Sequence, residues 1–224
     1  MRSAKTVGRI IGLALLVQLL LALPVYFRWM RPVTGPDFLA NAAGSALQIR
    51  VALLLTFLLG AMTLTAAIAA VPVFRRYSER MAFAFLALSV VGLSTLAMES
   101  MAMRNMLSLS QEYAKAGAAI EPLQTLAGLA RSTAFAAHHT NLMVAHGTVF
   151  VLYVILHRFA LVPRALAAFG MAATLVSTTA VTMPLLGYRL VFLLVMPAAL
   201  SNLALILWLI VRGFEERQHP EERT

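Results

Sequence analysis

The sequence predicts an all-α, polytopic membrane protein: a six-helix transmembrane bundle with short surface helices in two outer loops. Hydrophobic residues make up 61% of the 224 residues and charged residues only 12%, against about 45–50% and about 25% in soluble domains. The chain also divides into six uncharged stretches, each close to the ~20 residues that a helix needs to cross ~30 Å of hydrocarbon. None of them alternates polar and apolar residues, which favours helices over a barrel.

The first predicted span follows a basic N-terminus and ends at an interface anchor. The residues from Tyr26 to Trp29 combine aromatic rings with Arg28, a composition typical of the boundary between membrane and water. The apolar run is also long for a signal peptide, so we expect it to be retained. All six spans belong to one predicted domain, residues 1–213, followed by a charged cytoplasmic tail over 214–224. The spans cover about residues 8–28, 50–73, 81–105, 132–156, 165–186 and 190–211.

Two longer loops lie on the side opposite to the termini. Pro32–Gln48 contains a turn and helix-start signal around Asp37. Ser108–Arg131 contains an Ala- and Gly-rich patch followed by Pro122. We expect short helices in both loops, lying on the bilayer surface or capping the bundle. In span five, Pro184 predicts a kink.

Charge predicts orientation and partners. The net charge is +9, and the basic residues lie almost entirely at the ends of the apolar runs. The side that holds the termini has more of them, in tight loops, so the positive-inside rule places both termini in the cytoplasm. No continuous basic face is left for nucleic acid. The expected partners are the lipid bilayer and a small lipophilic ligand, together with a second copy of the chain (a homo-oligomer) or a membrane partner protein.

The residue types present argue against most metal and cofactor chemistry. The chain has no cysteine, which excludes a thiolate metal site and a cysteine nucleophile. No nucleotide-binding or metalloprotease motif is present. All intramembrane histidines lie on one span, whereas bis-histidine haem ligation needs two facing helices. Four methionines suit Cu(I) but are also ordinary packing residues; they are Met98, Met101, Met103 and Met106. We therefore predict no metal and no cofactor.

The C-terminal half carries a resemblance to a known family. The span that ends at Arg158 is followed by Pro163 and Arg164, then by a small-residue span containing Gly170, and the last span closes at Gly213. This arrangement resembles a bacterial family of polytopic membrane proteins that is catalogued as a domain of unknown function. The similarity is clearest over about residues 131–213. The resemblance implies a multi-span helical fold and supplies no activity.

The fourth span carries a stripe of polar side chains. His146, Tyr153 and His157 follow His139 at offsets that bring all four to one narrow face at about 100° per residue. His138 lies about 100° to one side. One interpretation is a line of groups that binds a polar headgroup or relays protons. The other is a set of side chains bonded to neighbouring helices or backbone carbonyls.

Glu99 is the only acidic residue inside an apolar run. An ionisable group in hydrocarbon is costly unless it has a partner, so it marks a candidate site. A 1.5 Å rise per residue places Glu99 about 28 Å from Arg80, near the outer interface, whereas His138 and His139 lie about 10 Å deep, so that helix tilt would be needed to bring them to one level. The alternative is a simple interface pair with Arg104. The predicted catalytic residues are Glu99, His138 and His139, and the predicted ligand-binding residues are His139, His146, Tyr153, Asn141 and Arg104.

Three functions are compatible with these residues. The first is an integral membrane protein that binds or passes a small lipophilic ligand, or assists another membrane component. The second is a membrane-embedded acid–base enzyme acting on a lipid or isoprenoid, with Glu99 as general acid and His138 or His139 as its partner. The third is a haem or metal redox protein.

Overall fold

A computed structural model describes residues 3–115 and 121–215. This part of the chain is almost entirely helical and contains no strand. Six of its helices are long and apolar enough to cross a membrane. Large apolar side chains such as Leu20, Leu54 and Phe57 are exposed on these helices, as expected where lipid replaces water. The predicted fold class, an all-α polytopic membrane protein, is confirmed.

The N-terminal half begins with a long helix and a chain of short ones. Helix α1 spans Ala4–Pro24 and continues as a π-helical turn over Val25–Trp29, because Pro24 has no N–H to donate to the regular ladder. Two short helices, α2 (Arg31–Thr34) and α3 (Phe38–Asn41), follow. They confirm the short helices predicted in the first loop. The second long helix is α4, Ala46–Phe74.

The second loop differs from the prediction. Helix α5 spans Glu79–Lys115 and helix α6 spans Glu121–Arg158, so residues 108–115 and 121–131 of the predicted loop extend the long helices instead of forming separate surface helices. The segment 108–115 lacks Gly and Pro and is rich in residues with good helix propensity. Pro122 lies in the first turn of α6, where its missing N–H removes no helical hydrogen bond.

The last two helices form a pair. Helix α7 spans Arg164–Thr182 and helix α8 spans Met196–Val211. The kink predicted at Pro184 is instead a change of helix type, since α7 ends at Thr182 and tightens into a 3₁₀ turn over Met183–Leu186. Gly187 then reverses the chain with a φ of 82°, a left-handed conformation that costs glycine little.

The helices divide into two compact units. The first comprises residues 1–17, 63–90 and 143–224. Its core includes Phe74, whose ring lies 5.7 Å from that of Phe85 and 5.8 Å from that of Phe214. Gly12 allows α1 to approach α8 closely, because a Cβ there would lie 2.8 Å from the Leu209 side chain. The helix packing in this unit therefore depends on small residues as well as on large apolar ones.

The second unit comprises residues 18–62 and 91–142. Its buried core includes Val33, Phe38 and Leu107. The hydroxyl of Ser110 on α5 accepts a hydrogen bond from the Ala43 N–H at 2.8 Å and donates to the Leu39 carbonyl at 2.9 Å. These two bonds attach the short helices of the first loop to α5.

Candidate functional site

Glu99 is the centre of a hydrogen-bond network in the second unit. Only 5% of its side chain is exposed. One carboxylate oxygen lies 2.8 Å from His138 Nδ1, and the other accepts a hydrogen bond from Asn141 Nδ2 at 2.7 Å. His138 and Asn141 are three residues apart on α6, so they lie side by side on one face of that helix. The buried acid is thus partnered on both oxygens, as a buried charge requires.

Thr95 contacts the Asn141 amide. It lies one turn before Glu99 on α5, and its hydroxyl lies 3.1 Å from Asn141 Oδ1 and 3.0 Å from the Gly92 carbonyl, which are the two acceptors for its one proton. The amide oxygen thus faces Thr95, and the amide NH₂ faces Glu99. We refer to Thr95, Glu99, His138 and Asn141 as the Glu99 network.

The two ring nitrogens of His138 differ in their surroundings. Nδ1 faces the carboxylate of Glu99. The His138 side chain as a whole is 34% exposed. A carboxylate at Nδ1 favours a proton on that nitrogen, so Nε2 accepts a hydrogen bond in the neutral ring and donates one in the protonated ring. The arrangement can therefore bind a polar group or exchange a proton at Nε2.

The other sequence-predicted residues of this unit do not join Glu99. His139 is buried, and its Nδ1 lies 2.9 Å from the carbonyl of Phe135. Its ring lies 5.4 Å from the ring of His138. Arg104 is exposed and forms no ion pair with Glu99, whose two oxygens are occupied from α6. Of the predicted catalytic residues, the structure brings together Glu99 and His138.

His146 and Tyr153 connect helices within the first unit. His146 Nε2 lies 2.8 Å from Ser177 Oγ on α7. Tyr153 is fully buried, and its hydroxyl lies 3.1 Å from Asn202 Oδ1 and 3.3 Å from Ser201 Oγ on α8. These contacts match the interpretation of the stripe as hydrogen bonds between helices. The ligand-binding roles stay predictions.

Metal-ligating residues do not cluster in the described residues, which contain no group of three or more His, Cys, Asp or Glu side chains able to hold an ion. The four methionines are also separated by their environment. Met103 and Met106 are buried in the core of the second unit, whereas Met98 and Met101 are 62% and 66% exposed. They therefore do not present their sulfur atoms to one common site.

Comparison with known families decides the family of the chain. Residues 10–213 match the family described as Domain of unknown function (DUF4386). The chain belongs to the DUF4386 family. This confirms the predicted resemblance and extends it well before residue 131. Neither a curated protein nor a solved structure matches the DUF4386 chain.

Several polar residues of this DUF4386 protein were not predicted as site residues. Thr95 could have been found, since it precedes Glu99 by one helical turn and both lie in an apolar run. Ser177, Ser201 and Asn202 gave no such signal. Their importance depends on which helix packs against α6, and this is not encoded in any local spacing.

Proposed function

We propose that this integral membrane protein binds a small lipophilic ligand whose polar group contacts Nε2 of His138. The observation that carries the proposal is the asymmetry of the Glu99–His138 pair. Glu99 is buried with both oxygens bonded, while about a third of the His138 side chain stays accessible. A carboxylate in an apolar region is costly, and here it contacts Nδ1 of one imidazole, which leaves Nε2 of that ring without this partner.

The surroundings of His138 favour a lipophilic ligand. Phe135 lies three residues earlier on α6, is 44% exposed, and packs its ring at 4.1 Å from that of His139, the residue next to His138. An apolar body can pack on this ring while a hydroxyl, carbonyl or amine bonds to Nε2. Glu99 would hold the ring in place, and Asn141 with Thr95 would hold Glu99.

The test identifies the molecules that stay bound to the protein during purification. Wild type, Glu99→Gln and His138→Gln are purified in mild detergent, and bound molecules are detected by native mass spectrometry. We expect one species enriched over bulk lipid in the wild type and reduced at least about tenfold in both variants. His157→Gln is the matched control, since His157 lies on the same helix outside the network, and it should retain the species.

Two results would overturn the proposal. One is a wild type without any enriched species. The other is a His138→Gln variant that retains the species at the wild-type level. Thermal unfolding of each variant shows whether it is folded, so that loss of ligand and loss of structure are separated. The same spectra reveal a second copy of the chain or a co-purified membrane protein.

A second candidate function is acid–base catalysis on a lipid or isoprenoid. A carboxylate that holds the Nδ1 side of an imidazole and leaves Nε2 accessible is the arrangement that general-base histidines use. In this version His138 exchanges the proton with the substrate, and Glu99 positions the His138 ring. This differs from the general-acid role that the sequence predicts for Glu99. Conversion of the retained species by wild type, and not by His138→Gln, would favour the enzyme over the binding protein.

We also propose that the protein lies in a bacterial cytoplasmic membrane with both termini in the cytoplasm. The supporting feature is the charge of the tight connections after α4 and α6. The first contains Arg75 and Arg76 and is followed by Arg80 in the first turn of α5, and the second is bounded by Arg158 and Arg164. Short loops rich in arginine favour the cytoplasmic side.

A further inference from the structure

A polar cavity lies in the second unit, and no residue of the Glu99 network lines it. Its volume is about 530 Å³, within the ~300–1,000 Å³ typical of small-molecule sites. It lies between the π-helical turn after α1 and the short helices that follow. The side chains that carry its chemistry are Arg28, Arg31, Asp37, Asn41 and Ser45.

The three charged side chains of this cavity are not paired with each other. Among the described residues, two exposed acids elsewhere form ion pairs, Glu79 with Arg75 at 2.7 Å and Glu112 with Lys115 at 3.0 Å. Asp37, the sole aspartate of the chain, forms no ion pair with Arg28 or Arg31 although all three line the cavity. It also does not cap α3 with its side chain. Two guanidinium groups and one carboxylate thus share one cavity.

The position of the cavity along the chain places it at the membrane boundary. Arg28 ends the uncharged run that starts at Ile10. The aromatic side chains of Tyr26, Phe27 and Trp29 surround it in sequence, and such belts lie at the level of the lipid headgroups. Phospholipid headgroups at this level carry a phosphate.

We propose that this cavity binds the phosphoethanolamine headgroup of a membrane phospholipid. The guanidinium groups of Arg28 and Arg31 take the phosphate, because planar donors match its oxygens. The carboxylate of Asp37 takes the ammonium group. An anionic headgroup without an ammonium would leave Asp37 facing negative charge. The amide of Asn41 and the hydroxyl of Ser45 supply further hydrogen bonds.

The test compares two lipids on the full-length protein. Binding of dioleoyl phosphatidylethanolamine and of dioleoyl phosphatidylglycerol is measured by native mass spectrometry in detergent. We expect the wild type to prefer phosphatidylethanolamine by about fivefold or more. Asp37→Asn should abolish this preference. Arg28→Gln with Arg31→Gln should weaken both lipids by at least about tenfold.

The controls separate this site from general electrostatics and from free ligands. Arg50→Gln, an exposed arginine of the same unit that does not line the cavity, should bind like the wild type. Soluble O-phosphoethanolamine should compete with the lipid, and inorganic phosphate should compete much less. The proposal is wrong if the wild type binds both lipids equally, if Asp37→Asn keeps the preference, if Arg50→Gln weakens binding as much as the double variant, or if phosphate competes equally.

Discussion

Gly170 of α7 packs directly against the ring of Tyr153 on α6, so that a Cβ at position 170 would overlap the ring atoms Cδ1, Cε1 and Cζ. Tyr153 cannot move away easily, because it is fully buried and bonded to α8. We therefore expect Gly170→Ala to destabilise the protein by about 1–3 kcal/mol through overpacking. Thermal unfolding in detergent measures this. Gly147→Ala is the control, since nothing lies within 4 Å of its added Cβ, and equal stability of the two variants would contradict the packing argument.

We expect the hydroxyl of Tyr153 to contribute separately to the free energy of unfolding. Tyr153→Phe keeps the ring against Gly170 but removes the contacts with Ser201 and Asn202. Hydrogen bonds between membrane helices contribute about 0.6 kcal/mol on average and up to about 1.7, so we expect a loss in this range. Tyr188→Phe, at a side chain that is 67% exposed, should change the unfolding free energy much less. A Tyr153→Phe variant as stable as the wild type would show that these contacts contribute nothing net.

Ser110 is expected to hold the short helices of the second unit. It is fully buried and bonds to the backbone at Ala43 and Leu39. Ser110→Ala leaves both groups without this partner, which costs about 1–3 kcal/mol where they stay buried. Amide hydrogen exchange over residues 38–45 should accelerate. The exposed neighbour Ser108 provides the control, because Ser108→Ala should leave that exchange unchanged, and an unaffected exchange in Ser110→Ala would refute the prediction.

The coupling between Glu99 and Asn141 is measurable by a double-mutant cycle. Asn141→Leu removes the donor at 2.7 Å from Glu99 and leaves a buried carboxylate oxygen unpaired, with an expected cost of about 1–3 kcal/mol. In the background of Glu99→Leu the same change should cost much less, because no charge remains to be satisfied. Additivity of the two changes within about 0.5 kcal/mol would mean that the residues do not interact energetically.

The proposed orientation has a direct test because the chain contains no cysteine. Single cysteines at the exposed positions Ser3, Ala40 and Glu79 report their side of the membrane. In intact cells we expect a membrane-impermeant maleimide to label Ala40→Cys and to spare Ser3→Cys and Glu79→Cys. Permeabilised cells should label all three. Labelling of Glu79→Cys in intact cells would place the loop after α4 outside and reverse the orientation.

The sequence alone predicts the six long helices and the need for a partner at Glu99. In lipid, every backbone N–H and C=O must bond within its own helix, so a long apolar run determines the element by itself. A single carboxylate in such a run likewise indicates a charge that is costly without a partner. The ends of the helices were less readable, as the extensions of α5 and α6 show, because polar helix formers continue a helix beyond the apolar run.

Only the tertiary structure decided which partners Glu99 has. Arg104 and His139 were candidates by position, yet the carboxylate binds His138 and Asn141. Which face of α6 meets α5, and at what height, results from the packing of many side chains over both helices. The same packing buries Met103 while Met98 stays exposed. Residue spacing defines the faces of one helix, whereas the pairing of faces between helices is a property of the whole fold.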